Sequence, residues 1–324
     1  MRHGLQKFCG VACVLAGWVA AIGCGGGGGD DDADGGVDGP GSMCVPGNPI
    51  DLNHTYGVLA TLNVHVNSAG LVETDTVSEM LLLFDSTQTG TAVSVSATLC
   101  DIEIPEIQLM GTPPPPPVIF MLGPGLVESV ADVMGTATLG GTESCATFAT
   151  QPMTIIIGAK LVNPTQGMLP QATVMGGTVT VPECMPTGAT CATATGTDCA
   201  CDQENDMKPG ATLLAMNTPL ITLDEAYVDL RTTFSLSGQV RSSDAIQGTL
   251  TATLEQGVLG CHCGSNPGGT CDMAPCGSAE VNISKTINPV ITQNAMPSTF
   301  RAVRVDAALT CAQLVAMRDT IFPR

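Results

Sequence analysis

The chain is poor in the groups that most chemistry is built on. Aromatic residues make up 3% of its 324 residues and charged residues 13%, and the one tryptophan, Trp18, lies close to the N-terminus. So few aromatics leave little for stacking on nucleic-acid bases or sugar rings. Basic residues are scarce as well: 11 Lys and Arg face 30 Asp and Glu, for a net charge of −19. Nucleic acid and acidic membrane surfaces are therefore poor partners. Of four histidines, only His54, His65 and His262 lie beyond the N-terminal segment. A serine or cysteine nucleophile would lack its usual base. Neither G-x-S-x-G nor H-E-x-x-H occurs, and no catalytic role is expected. After residue 23 no apolar run reaches 18 residues, so no membrane-spanning helix is expected in the body.

What the chain does have is Thr, Ser, Gly, Ala and Val in short alternating runs, which favour sheet over helix. Tyr56, Val58, Ala60, Leu62, Val64 and Val66 alternate with polar residues, the mark of a half-buried strand. Val77 to Phe84 is nearly continuous apolar sequence. Gln88-Thr89-Gly90 turns into Val93, Val95, Ala97 and Leu99, and the apolar phase is expected to flip at Pro105, from Ile102 and Ile104 to Ile107 and Leu109. Pro113 to Pro117 form an extended connection without backbone donors. Further strands are predicted at 131–139, 153–162, 177–181, 281–287 and 300–305. Ala226, Val228, Leu230, Phe234 and Leu236 repeat the first theme, with Asp229 and Arg231 on the outer face as a surface pair of little energetic worth. Ser242-Ser243-Asp244 turns into Ile246, Leu250, Ala252 and Leu254. One helix is predicted near the C-terminus, with Asp306 as N-cap and Pro323 as stop. The fold class is all-β, an antiparallel sandwich or barrel-like set of sheets, disulfide-rich, with one C-terminal helix. Pattern alone does not separate sandwich from barrel. The body 44–324 reads as one all-β domain or as two β units, about 44–181 and 211–324, joined by a Cys-rich loop 182–210.

Twelve cysteines fall in the body: Cys44, Cys100, Cys145, Cys184, Cys191, Cys199, Cys201, Cys261, Cys263, Cys271, Cys276 and Cys311. An even count in an exported chain argues for disulfides, of a connectivity that spacing does not reveal. Cys311 is expected to staple the terminal helix to the sheet, with Cys44 as a candidate partner. Cys261-His262-Cys263 with Cys271 and Cys276 is the most metal-like cluster, but its spacing fits no usual zinc site, and His262 reads as an exposed loop residue. No metal and no cofactor is expected. Asp101 and Glu103 share a strand face at the spacing of a glycosidase pair, a spacing equally common on solvated strands.

The N-terminus supplies an address. Arg2 and Lys7 precede the apolar stretch Phe8 to Ile22, which reads as a signal peptide over residues 1–23. Ala21-Ile22-Gly23-Cys24 resembles the lipobox of bacterial lipoproteins, with Ala21 where leucine is usual; Val19-Ala20-Ala21 would also serve as an ordinary cleavage site. The resemblance implies acylation of Cys24 as the first mature residue. Residues 24–43 then form a Gly/Asp-rich tether, too poor in apolar residues to fold. Asp30, Asp32, Asp34 and Gly35 match the start of a Ca²⁺ loop, whose twelfth position would be Gly41 where a glutamate is needed. Loss of Arg2 and Lys7 leaves 9 basic against 30 acidic residues, a mature charge of −21. The expectation is a non-catalytic protein held at the cell envelope through Cys24, on the outer membrane and facing the periplasm or the exterior, with a structural, adhesion or interaction role. A β-barrel that binds an apolar ligand is the alternative.

Overall fold

A computed structural model describes residues 44–68, 72–104, 106, 117, 119–175, 178–216, 224–262 and 290–323. Cys24, the tether, the phase flip at Pro105, all but the last of the five prolines, the strand 281–287, and Cys263, Cys271 and Cys276 lie outside the described residues. The strands are β1 (Thr55–Ser68), β2 (Val72–Thr89), β3 (Ala92–Glu103), β4 (Ile119–Leu122), β5 (Val133–Leu139), β6 (Thr147–Thr150), β7 (Met153–Ile157), β8 (Ala159–Lys160), β9 (Thr173–Met175), β10 (Thr178–Thr180), β11 (Cys199–Ala200), β12 (Ala211–Met216), β13 (Glu225–Ser242), β14 (Ala245–His262), β15 (Val290–Gln293) and β16 (Ser298–Arg304). Three short helices accompany them, α1 (Leu126–Ser129), α2 (Cys311–Ala316) and α3 (Arg318–Ile321).

Eight strands close on themselves. Around the ring β1 pairs with β2, then β3, β5, β6, β13, β14 and β16, and β16 returns to β1, every pair antiparallel. Closure leaves no open edge within the ring. After Gln151-Pro152 the chain resumes as β7 farther along β13, as a proline without a backbone donor requires. The spans 44–181 and 211–324 thus share one barrel, meeting at the β6–β13 and β16–β1 seams, rather than forming two units.

The predicted alternation sets the interior. Tyr56, Val58, Ala60, Leu62, Val64 and Val66 of β1 are all buried, and Tyr56, Val58 and Ala60 stand opposite Phe84, Leu82 and Met80 of β2. Phe148 and Leu236 meet them from the far wall, with Phe300 and Ile246 on the adjoining strands β16 and β14. Each such side chain contributes about 1.5–3 kcal/mol on burial. The void left among them is about 10 Å³, room for one water at most. An eight-stranded ring is just wide enough to be filled by its own side chains, as it is here among Tyr56, Phe84, Phe148 and Phe300. The segment before β1 closes one end, with Leu52 fully buried, its amide bonded to Gln88 Oε1 at 2.8 Å, and Cys44 joined to Cys145.

A second apolar cluster lies outside the barrel. The β2–β3 register slips between Leu81 and Leu82, leaving Cys100 unpaired opposite them. The phase of β3 therefore changes at this bulge, already ahead of Pro105: with one extra residue in β3, Leu99 and Ile102 stand opposite the interior residues Leu82 and Met80 while Cys100 turns outward. Cys100 is bonded to Cys311 at the start of α2, which corrects the pairing of Cys311 with Cys44. Leu314 and Phe322 pack there against Leu59 and Leu81. Gly57 admits the helix, since a Cβ at that position would lie 2.8 Å from Leu314 Cδ1. The N-cap is Thr310 in a capping box with Gln313, and Asp306 instead accepts from Ala308 N at 2.8 Å to close the turn before it.

Candidate functional site

Three clusters of polar groups stand out among the described residues, and the first lines a cleft of about 460 Å³ where β1, β2 and β16 end together. Asn53, His54, Thr55, Asp85, Ser86 and Arg304 line it, with Asp306 across. The alternation that puts Tyr56 inside puts Thr55 outside, where its hydroxyl donates to Asp85 Oδ1 at 2.6 Å. Ser86 donates its hydroxyl to the carbonyls of Leu52 and His54. Ser86 thus spends its proton on backbone carbonyls, whereas the Thr55 hydroxyl rests on a carboxylate. Arg304 Nη1 donates to Asp244 Oδ1 at 3.2 Å. Beside the cleft, hydrogen bonds from Asn53 hold the Asp51 carboxyl below its ordinary value. What the cleft offers is one guanidinium, one imidazole and two carboxylates, a surface for polar or charged groups.

The second cluster sits on the lobe 182–210, whose small core is made of Cys184, Cys199, Cys201 and Ala194. The disulfides Cys184–Cys199 and Cys191–Cys201 replace the apolar mass that this Thr- and Gly-rich segment lacks. Asp202, Glu204 and Asp206 place one carboxylate oxygen each within 4.8 Å of the others, the hard oxygen donors of a divalent cation site. Asp202, however, accepts the amides of Asn205, Asp206 and Met207. It orders the loop. Burial pushes the Glu204 carboxyl up to about 7 against the amide of Thr212, with Asp206 and Asp202 adding repulsion. Lys208 supplies positive charge to the cluster, 4.0 Å from Asp206 and ion-paired to Glu225, while its ammonium lies 5.2 Å over the Tyr227 ring. Glu225 also accepts from Tyr227 Oη at 2.9 Å. The D-x-E-x-D spacing was the available signal for this group.

The third corrects the expected surface pair. Asp229 is 0% exposed and Arg231 6%, because residues 161–172 cross the outer face of β13 and β14. Arg231 binds Glu255 with two nitrogens and donates to the carbonyls of Pro164 and Gly167. Both Asp229 carboxylate oxygens are left without a hydrogen-bond partner. Burial raises that carboxyl to about 7, and the nearby amides of Gly257 and Asp229 itself, with the Arg231 charge, offset only part of the shift.

The remaining predicted residues are dispersed. Cys261 is disulfide-bonded, so its thiolate is not free for a metal. His262, expected in an exposed loop, is the last residue of β14, half-buried, and stands opposite Glu225. His65 Nδ1 lies 2.9 Å from Asp75 Oδ1 across β1 and β2. Glu103 stands opposite Glu79, and Arg318 of α3 ion-pairs with Glu79 and lies 3.8 Å from Glu103. Asp101 stands opposite Leu81, two residues from Glu103 on the same strand. The chain matches no protein-family model, and no curated protein or solved structure is significantly similar to it.

Proposed function

We propose that this chain is a bacterial envelope lipoprotein, acylated at Cys24, whose body is a non-catalytic structural or interaction module at the end of an acidic tether. The carrying observation is the order of segments along the chain: a lipobox-like Ala21-Ile22-Gly23-Cys24, a tether of glycine and aspartate, then a compact unit beginning at Cys44. Two or three acyl chains, at about 0.8 kcal/mol per buried methylene, exceed what one chain needs for stable anchoring. Twenty residues of such a tether span about 25 Å on average, longer where the aspartates repel. The disulfides suit an oxidising compartment. The close packing of the interior around Tyr56, Phe148 and Phe300 supports a module that works through its outer surface, where the cleft at Arg304 and His54 is the leading place of contact. Cys24→Ala tests the anchor: the variant is expected to leave the membrane fraction while its unfolding midpoint stays that of the wild-type body. Retention in the membrane fraction would overturn the lipoprotein reading.

A further inference from the structure

Methionine is ordinarily among the side chains most often buried. Here Met80 and Met153 follow that rule at 2% and 1% exposure, whereas nine other described methionines are 42–85% exposed. They are spread over the molecule. Met121 and Met216 lie on the paired strands β4 and β12, and Met134 on the outward phase of β5. Met168 belongs to the segment that crosses β13, Met175 ends β9, and Met185 and Met207 lie within the disulfide lobe. Met296 precedes β16, and Met317 links α2 to α3. Among the described residues, none of the nine belongs to a hydrophobic cluster. Nine flexible apolar side chains left 42–85% exposed contribute little to packing, and what they present to solvent is sulfur.

The other oxidisable groups are withdrawn from solvent. The described cysteines are disulfide-bonded, Tyr56 and Tyr227 are buried, and the one tryptophan, Trp18, precedes the body. Among the described residues the thioether is left as the accessible nucleophile toward two-electron oxidants. We propose that the nine exposed methionines are oxidation sites and that the barrel carries them as a peroxide-consuming surface. At each site a sulfur lone pair attacks one peroxide oxygen, an S–O bond forms and the O–O bond breaks. Hydroxide leaves and takes up the proton of the transferred oxygen to give water; sulfur loses the two electrons that peroxide gains. The product is the sulfoxide, which reductases return to the thioether. Oxidation at Met80 or Met153 would force a polar S–O group into the core, but at the exposed positions the new dipole is already in water. The fold is therefore built to survive oxidation of its surface.

The test uses the full mature chain in detergent, treated with excess hydrogen peroxide at neutral pH, then mapped by peptide mass and melted. The nine sites are expected to be sulfoxides, Met80 and Met153 thioethers, and the unfolding midpoint within about 2 °C of the untreated protein. Oxidation of Met80 and Met153 at the rate of the nine, or unfolding on treatment, would overturn the proposal. So would nine unreacted sites beside free methionine that is oxidised in the same tube. A variant with all nine changed to leucine, verified as folded by the same melt, should consume about nine fewer equivalents of peroxide per chain. Equal consumption by the two proteins would also overturn it. None of these readings depends on acylation of Cys24.

Discussion

A carboxyl group sealed from water without a hydrogen-bond partner makes folding depend on pH, and Asp229 is such a group. Its neighbours explain why: Arg231 is committed to Glu255 and two carbonyls, Gly257 faces it across β14, and residues 161–172 contain no ionisable side chain. Because burial raises its value from 3.8 to about 7, the folded chain holds a proton that the unfolded chain releases between those two values. The resulting stability is fully present below about pH 4 and falls as pH rises through 7, by a few kcal/mol. Glu204, also raised to about 7, acts in the same direction, and Glu225, lowered by Lys208 and Tyr227, acts in the opposite one. Asp229→Asn keeps the shape and removes the charge. It should match the wild type at pH 4, exceed it at pH 8 and flatten the profile, as urea titrations across that range would register. A steeper profile would show the carboxylate to be stabilised when charged. Gly257→Ala belongs to the same contact: its Cβ would strike the Asp229 carboxylate, costing about 1–3 kcal/mol in the same titrations.

Among the elements, the terminal helices depend most on a covalent link. Neither α2 nor α3 is long enough to be stable alone, and they are held by Leu314 and Phe322 on the β1–β3 face and by the Cys100–Cys311 bond. That bond closes a separation of 211 residues, so the double change Cys100→Ala, Cys311→Ala is expected to lower stability by about 2–5 kcal/mol. Hydrogen exchange should then show α2 open while β1 and β13 stay protected. Protection of α2 equal to the wild type would mean that packing alone holds it. The element scale also shows what the sequence made legible. Tyr56 to Val66 alternate because one side of β1 faces a packed interior and the other does not, and that difference is written in the residues. The bulge at Cys100 is not: Leu99 and Ile102 reveal a phase change only once the partner register at Leu81 and Leu82 is known. Thr310 lost to Asp306 as the expected cap because both residue types suit the position, and only the capping box with Gln313 separates them.

The whole barrel rests on two seams that join distant stretches of chain, Thr147–Ala149 with Ser237–Gln239 and Tyr56–Thr61 with Thr299–Arg304. Local pattern carries no record of such pairings, which is why the sequence left sandwich and barrel equally open. Asp229 and Arg231 were misread for a related reason: alternation assigns a residue to the outer face, but it does not say that a later segment will cover that face. The cleft at Thr55 and Arg304 was likewise invisible, since it exists only where three strand ends meet. The covalent plan has a mechanical side. Force arriving along the chain at Cys44 divides at once, through the backbone toward β1 and across the sulfur bridge to Cys145. The intervening stretch, which holds β1, β2, β3 and β5, is a closed covalent loop that a pull cannot draw out to length. Under a pull from the N-terminal side of Cys44, tension reaches the β5–β6 connection through the bridge, and the core of the barrel is shielded as long as that one bridge stays oxidised.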